Sequence, residues 1–269
     1  MTLPVVLSIA GSDSGGGAGI QADLKTFHAF GTFGTTAITA ITAQNTLGVT
    51  AIHAIPVETV EAQIAAVAED LHPAACKTGM LATAEMVDAV AASIVTHKLP
   101  NYVLDPVMVA TSRARLLERE AERRILESLL PLSALVTPNL DEAAILAGID
   151  VRTPPDMRKA AEILVGLGAG AALLKGGHLP GDEVVDILFD GTNWREWRRT
   201  RLRTTETHGT GCTLSAGIAA GLALGNTVTA AVDVALEYLQ RAIAAAPGLG
   251  SGHGPVNHAV PVGIDSITP

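Results

Sequence analysis

The chain has 269 residues, of which 48% are hydrophobic, 17% charged and only 3% aromatic. A length in this range suits a single α/β domain and buries enough surface to need neither a disulfide nor a metal staple. Asp and Glu number 27 against 18 Lys and Arg, a net charge of −9, which argues against a nucleic-acid partner because such a protein neutralises phosphates with a basic face. With so few aromatics, the core has to come from Ala, Val, Leu and Ile. Cys76 and Cys212 make no disulfide framework and fit a reducing compartment. The N-terminus lacks a basic leader region, and no apolar run reaches the roughly 18 residues of a membrane span. A cytoplasmic location with no membrane partner is expected.

Val5 to Ala10 is predicted as a buried strand, followed by the glycine-rich Gly11–Gly19 and a helix from about Ile20 to Ala29, closed by Gly31. Thr35–Ala43 and Val49–Ile55 flank the turn Asn45-Thr46-Leu47-Gly48, a hairpin pattern. Alternation over Thr36–Thr42 predicts one solvated face. Val60, Ile64, Val67 and Leu71 share one helix face. Ala75–Thr78 reads as a short strand, and Thr83 as the N-cap of a helix carrying Val87, Val90 and Ile94. Strands follow at Tyr102–Leu104 and Leu132–Val136. Thr153-Pro154 opens a helix with proline at its first position, and Ala171–Leu174 is the next strand. Val184–Phe189 and Trp194–Arg201 flank Asp190-Gly191, a second hairpin. Its basic residues read as a solvated charged strand pair. Two Ala-rich helices, from about Thr213 and about Val228, end the pattern. Strands alternating with helices predict an α/β fold with a mostly parallel sheet. No linker or repeat interrupts it, so residues 1–269 read as one domain.

Ligands of open α/β sheets bind beyond the carboxyl ends of the strands. Here those ends read Gly11-Ser12-Asp13, Lys77-Thr78-Gly79-Met80, Asp105-Pro106-Val107-Met108, Thr137-Pro138-Asn139 and Lys175-Gly176-Gly177-His178. All five carry polar or glycine-rich residues, which points to a site spread along one sheet edge. Neither G-x-G-x-x-G nor G-x-x-x-x-G-K-[ST] occurs. Instead His208-Gly209-Thr210-Gly211-Cys212 precedes a helix, where free N–H groups and the helix dipole favour an anion. A plain glycine turn before a buried helix would look the same. Gly15-Gly16-Gly17-Ala18-Gly19 is either a second backbone–ligand contact or a tight strand-to-helix turn.

The run Ala10-Gly11-Ser12-Asp13-Ser14-Gly15-Gly16-Gly17-Ala18-Gly19-Ile20-Gln21-Ala22-Asp23 resembles the opening signature of the hydroxymethylpyrimidine/phosphomethylpyrimidine kinases of thiamin biosynthesis, in the ribokinase-like superfamily. The resemblance continues in order through Thr42-Ala43-Gln44-Asn45-Thr46, the strand ends above, Asn139-Leu140-Asp141-Glu142, His208–Cys212 and Gly252-His253-Gly254-Pro255. It implies a three-layer α/β/α ribokinase-like fold with a small β-hairpin flap at about residues 35–55, ATP with Mg²⁺, and a homodimer. It also implies two successive phosphorylations, of 4-amino-5-hydroxymethyl-2-methylpyrimidine and then of its monophosphate.

Residue by residue, the resemblance makes Gly209, Thr210, Gly211 and Cys212 an anion hole. It puts Gln44 on the aminopyrimidine, with Gly11, Ala18, Asp23, Met80 and Val107 around it. A carboxamide offers a donor beside an acceptor, which matches an amino group next to a ring nitrogen. Asn139 and Lys175 go to the nucleotide. Glu142 and Asp105 go to Mg²⁺, through water for Glu142, since Mg²⁺ keeps part of its hydration shell. Each has a plainer reading: Gln44 as a polar hairpin residue, Lys175 as a surface lysine, Glu142 as a helix-start carboxylate. At Cys212 a helix N-terminus lowers a thiol's pKa, so Cys212 either accepts the hydroxyl proton or completes the anion hole. The sequence departs from the family at Arg113, where the family has Gly, which puts any nucleotide contact of residues 111–115 in question. A pyridoxal kinase of the same branch, or a non-catalytic pyrimidine-binding protein, are the competing readings.

Overall fold

The computed structural model describes residues 3–108 and 119–263; residues 111–115 lie outside that range. One nine-stranded sheet runs through it. Its strands are β1 (Val5–Asp13), β2 (Phe33–Asn45), β3 (Gly48–Ala54), β4 (Ala75–Thr78), β5 (Tyr102–Leu104), β6 (Leu135–Val136), β7 (Ala172–Leu174), β8 (Glu183–Phe189) and β9 (Trp194–Thr200). Their order is β3-β2-β1-β4-β5-β6-β7-β8-β9. From β2 to β7 every pairing is parallel, while β3, β8 and β9 are antiparallel additions at the two edges.

The helices are α1 (Gly19–Ala29), α2 (Val57–Leu71), α3 (Ala84–Thr96), α4 (Arg119–Arg124), α5 (Leu140–Ala147), α6 (Pro154–Gly166), α7 (Thr210–Ala223) and α8 (Val228–Ala244). They divide between the two faces because strand side chains alternate. Leu7, Ile9, Cys76, Tyr102, Leu104, Val136, Ala172 and Leu174 face the core shared with α2, α3, α5 and α6. Val6, Ala75, Val103, Leu135 and Leu173 face the opposite core, with Phe27 of α1, Ile218 of α7 and Leu236 of α8. This is the three-layer α/β/α arrangement that the family resemblance implied, on the mostly parallel sheet expected from the alternating pattern.

The helix starts have local causes. Thr83 accepts a hydrogen bond from Met86 N, and Thr153 and Asp156 cap each other's backbone with proline at the first turn of α6. Helix α7 begins three residues before the expected Thr213, so Gly211 and Cys212 belong to its first turn.

The strand pair at the first edge also differs from expectation. β2 is a parallel neighbour of β1 from Phe33 to Thr42, and Ala40–Asn45 pairs with β3, so only Ala43–Asn45 projects past β1. Nor is one face of β2 simply solvated. Thr35, Thr39 and Thr42 are buried, because their hydroxyls donate to the Val6, Met80 and Ser12 carbonyls. The far edge agrees with its reading. Arg195 and Arg198 of β9 are exposed and pair with Asp233, Glu183 and Glu196, which blunts an open strand edge.

β1 connects through α1 to β2 on one side, whereas β4 lies on its other side. The direction of winding reverses between β1 and β4, and such a reversal opens a crevice at the strands' carboxyl ends.

Candidate active site

The crevice is a cavity of about 840 Å³ whose lining includes all five strand ends, the β2 segment at Thr42 and Gln44, and the first turn of α7. Gly11, Ala18, Gln44, Met80, Asp105, Val107, Asn139, Glu142, Lys175, Gly209, Thr210, Gly211 and Cys212 all line it. Asp23 does not.

Asp23 is a correction. Its carboxylate is sealed beneath the cavity floor, accepting from Lys77 Nζ at 3.0 and 3.1 Å and from Ser8 Oγ at 2.5 Å. Neither Asp23 nor Lys77 is exposed. It lies within α1, whose buried face turns it into the protein. Burial pushes its carboxyl upward, opposed by the Lys77 charge and the Ser8 hydrogen bond.

The glycine-rich turn after β1 is organised by Asp13, which the motif reading left without a role. Its Oδ1 accepts from Gly15 N at 2.8 Å, and its Oδ2 from Gly17 N at 3.0 Å and Ala18 N at 2.8 Å. Those amides are therefore spent on a protein carboxylate and are not offered to a ligand. His208 Nε2 lies 2.8 Å from the same Oδ2. Burial raises the Asp13 pKa, but the His208 and backbone hydrogen bonds outweigh it, and the carboxyl sits below its usual range. An acidic residue two positions before a glycine run was the signal available in sequence; its partner 195 positions away was not.

The two glycine-rich segments touch. Gly209 has φ +81°, and a Cβ there would collide with the Gly17 carbonyl. This contact brings the start of α7 to the end of β1. No side chain caps α7, so its first-turn amides face the cavity with the orphan N–H groups of a helix start.

Behind that turn lies a charged cluster. Lys175, just after β7, places Nζ 3.2 Å from Asp105 Oδ1 and 3.9 Å from Glu142 Oε2. Its side chain is 15% exposed, so it is not the surface lysine of the plainer reading. Asp105 is engaged further by Ser215 Oγ at 3.0 Å. Burial raises its carboxyl, but Lys175, Lys77 and Ser215 bring it below its ordinary value. Glu142 and Asn139 form a reciprocal capping box on α5, with bonds of 2.8 and 3.0 Å. The helix-start role of Glu142 and its place in the cavity thus coexist. Burial pushes Glu142 up to about 7, with Lys175 opposing and Asp105 adding to the rise.

Among the described residues no three acidic, His or Cys groups converge as a ready-made metal cage. The donor set present, a carboxylate and an asparagine beside a lysine, fits Mg²⁺ held through water and phosphate oxygens, the way this ion is usually bound. It does not fit a dehydrated ion, because Lys175, Ser215 and Thr137 already occupy the Asp105 oxygens.

Cys212 is half-buried in the cavity wall. The expected lowering of its thiol pKa is reversed. Burial pushes it up to about 12, with Lys77 opposing and Asp23 and Asp105 adding to the rise. Desolvation and the two carboxylates outweigh the Lys77 charge and the Gly19 N–H bond, which favours the neutral thiol.

A family model described as phosphomethylpyrimidine kinase matches residues 13–257. The hydroxymethylpyrimidine/phosphomethylpyrimidine kinase of Bacillus subtilis is 48% identical over 259 residues, covering 96% of each chain. The crystal structure of phosphomethylpyrimidine kinase from Clostridium difficile superposes with a TM-score of 0.80 at 42% identity, over 89% of this chain and 99% of that one. An ADP complex of Bacillus subtilis pyridoxal kinase gives a TM-score of 0.89 at 38% identity, over 96% of this chain and 98% of that one.

A sheet reversal that opens onto an uncapped helix start, with a lysine–carboxylate cluster behind it, defines a ribokinase-like small-molecule kinase. Within that class, the chain belongs to the phosphomethylpyrimidine kinase family, and it is a phosphotransferase.

Proposed function

We propose that the protein uses ATP to phosphorylate 4-amino-5-hydroxymethyl-2-methylpyrimidine and then the resulting monophosphate, giving the diphosphate used in thiamin biosynthesis. The observation that carries this reading is the position of Gln44. Its carboxamide lines the same cavity as Cys212 and the α7 amides, with Ala18, Met80 and Val107 offering apolar surface beside it. A flat aminopyrimidine held there on its polar edge presents its 5-substituent to the helix start.

The remaining lining groups take the nucleotide. Lys175 and Asn139 supply a cation and a carboxamide, and the α7 amides stabilise charge on the transferring phosphoryl group. Phosphoryl transfer asks mainly for such positioning and charge stabilisation. Glu142 would hold hydrated Mg²⁺, which would supply charge neutralisation for the phosphates. The protein carries −9 overall, so attraction for an anionic nucleotide comes from these local groups. Cys212, a neutral thiol at rest, completes the anion hole rather than acting as a ready-formed base. The family resemblance supports a homodimer and a cytoplasmic location; no described helix is long and apolar enough to cross a membrane.

Pyridoxal kinase activity is the second reading, favoured by the TM-score of 0.89 to such an enzyme. The backbone fold does not separate the two substrates. An ATP-consumption assay with the hydroxymethylpyrimidine, its monophosphate and pyridoxal does so. Turnover of both pyrimidines well above pyridoxal is expected, and turnover of pyridoxal alone would overturn the proposal.

A further inference from the structure

We infer that Asp13, His208 and Thr42 are positioning residues that fix which way round the Gln44 carboxamide faces, and through it which way round an aminopyrimidine ring can sit. The inference rests on the reading of Gln44 as the substrate contact.

The oxygen and nitrogen ends of a carboxamide have the same shape, so its neighbours decide which end lies where. One neighbour is His208. Its Nε2 lies 2.8 Å from Asp13 Oδ2, and the Asp13 carboxylate, held below its usual pKa range, only accepts hydrogen bonds. His208 Nε2 must therefore carry a proton. The structure places Nε2 of the Gln44 amide 3.5 Å from that same nitrogen and Oε1 beside Thr42, an assignment of two ends of like shape that the hydrogen bonds around them reverse. An N–H group there would face another N–H group; an oxygen there receives a long second arm of the His208 bond.

The other neighbour is Thr42. Its hydroxyl is 3.0 Å from the second end of the Gln44 amide and 3.0 Å from the Ser12 carbonyl oxygen. A hydroxyl has one proton, and the carbonyl only accepts. Given to Ser12, that proton leaves a lone pair turned to Gln44, which calls for the amide NH₂. His208 thus calls for Oε1 on its side, and Thr42, with its proton on the Ser12 carbonyl, accepts from Nε2 on the other. The frame holding them is stiff. A Cβ at Gly17 would strike the His208 ring, His208 N donates to Gly254 O at 3.1 Å, and Ser14 Oγ bonds both the N–H and the carbonyl of Gln44 at 2.8 Å.

What remains of the amide for a ligand is one N–H on Nε2 and one lone pair on Oε1, in a fixed order. With the amide reversed, the same ring would pair only when turned over, and its 5-substituent would leave the line to the α7 amides. Productive transfer needs that line.

The test is a double-mutant cycle of His208→Phe with Gln44→Ala, read as separate KM values for the hydroxymethylpyrimidine and for ATP. His208→Phe keeps a ring against Gly17 and removes the N–H. In the otherwise native protein it is expected to raise the pyrimidine KM about tenfold and leave the ATP KM unchanged. In the Gln44→Ala background its effect on the pyrimidine KM is expected to shrink to less than about twofold. Equal losses in both backgrounds, with Gln44→Ala itself raising the pyrimidine KM, would overturn the inference alone. An unchanged pyrimidine KM in Gln44→Ala would remove the substrate role of Gln44 and the inference with it. Thr42→Val runs the same cycle from the other end of the amide and serves if His208→Phe does not fold. On the unaltered protein, ¹⁵N spectra of histidine are expected to show a protonated Nε2 at His208; a bare Nε2 overturns the inference.

Discussion

Lys77 Nζ meets both carboxylate oxygens of Asp23, at 3.0 and 3.1 Å, with neither side chain exposed to solvent. The pair joins β4 to α1 directly under the cavity floor; a Cβ at Gly79 would stand 3.5 Å from Lys77 Nζ. Removing one member leaves the other buried and uncompensated, which typically costs about 3–5 kcal/mol, whereas replacing both by apolar groups of similar volume is often neutral. Asp23→Leu and Lys77→Met are each expected to lower the melting temperature strongly, and the double variant to recover much of the loss. Thermal unfolding of the three variants measures this. A single Asp23→Leu change with native stability but no pyrimidine binding would return Asp23 to the substrate.

Cys212 gives a second expectation. A positioned general base contributes about 10²–10⁴-fold to rate, and only the first phosphorylation has a hydroxyl proton to remove. A neutral thiol in a backbone anion hole predicts that Cys212→Ala slows both phosphorylations modestly and alike. Single-turnover rates for the two acceptors decide it. A first step slowed more than about a hundredfold, with the second step nearly untouched, would make Cys212 the proton acceptor.

Glu142 sets a third, through its pKa of about 7. Only the carboxylate form orders a cation, and metal affinity follows ligand deprotonation. The Mg²⁺ concentration for half-maximal activity is therefore expected to fall as pH rises from 6 to 8, by at most about tenfold per unit. Glu142→Gln should raise the Mg²⁺ requirement and flatten this dependence. Mg²⁺ titrations of both proteins at three pH values test it, and turnover persisting in excess chelator would remove the metal role altogether.

His258 braces the same helix start from behind. Its Nε2 lies 2.9 Å from Thr213 Oγ1, whose hydroxyl donates to Gly209 O at 2.8 Å. His258 therefore donates, as a neutral ring. Burial, with the Lys25 charge adding to it, lowers its pKa from 6.5 to about 4. Between those values the unfolded chain binds a proton that the folded one refuses. The stabilisation is present above pH 6.5 and is lost as pH falls toward 4, amounting to roughly 3 kcal/mol at most. His258→Gln keeps an N–H donor without the titration, and denaturant unfolding between pH 7 and pH 4.5 should show a shallower loss for it. Identical slopes for the two proteins would exclude His258 as the source.

The α/β alternation, the strand ends and most helix starts were legible in the local sequence. Alternating or unbroken apolar runs, Thr83 and Thr153 as caps, and turns such as Asp190-Gly191 act over a few residues, and short-range rules read them. The same local grammar placed a polar or glycine-rich segment after each parallel strand. Tertiary structure alone decided what those segments do. Asp23 and Asp13 stand in one motif ten residues apart, yet one is locked to Lys77 beneath the floor and the other binds its own glycine turn and His208. Cys212 has the helix N-terminus that lowers a thiol's pKa, but the carboxylates of Asp23 and Asp105 and its desolvation come from distant strands and helices and reverse the sign. Charge and burial act through space, over distances that bear no relation to separation along the chain, and so they become legible only once the chain has folded.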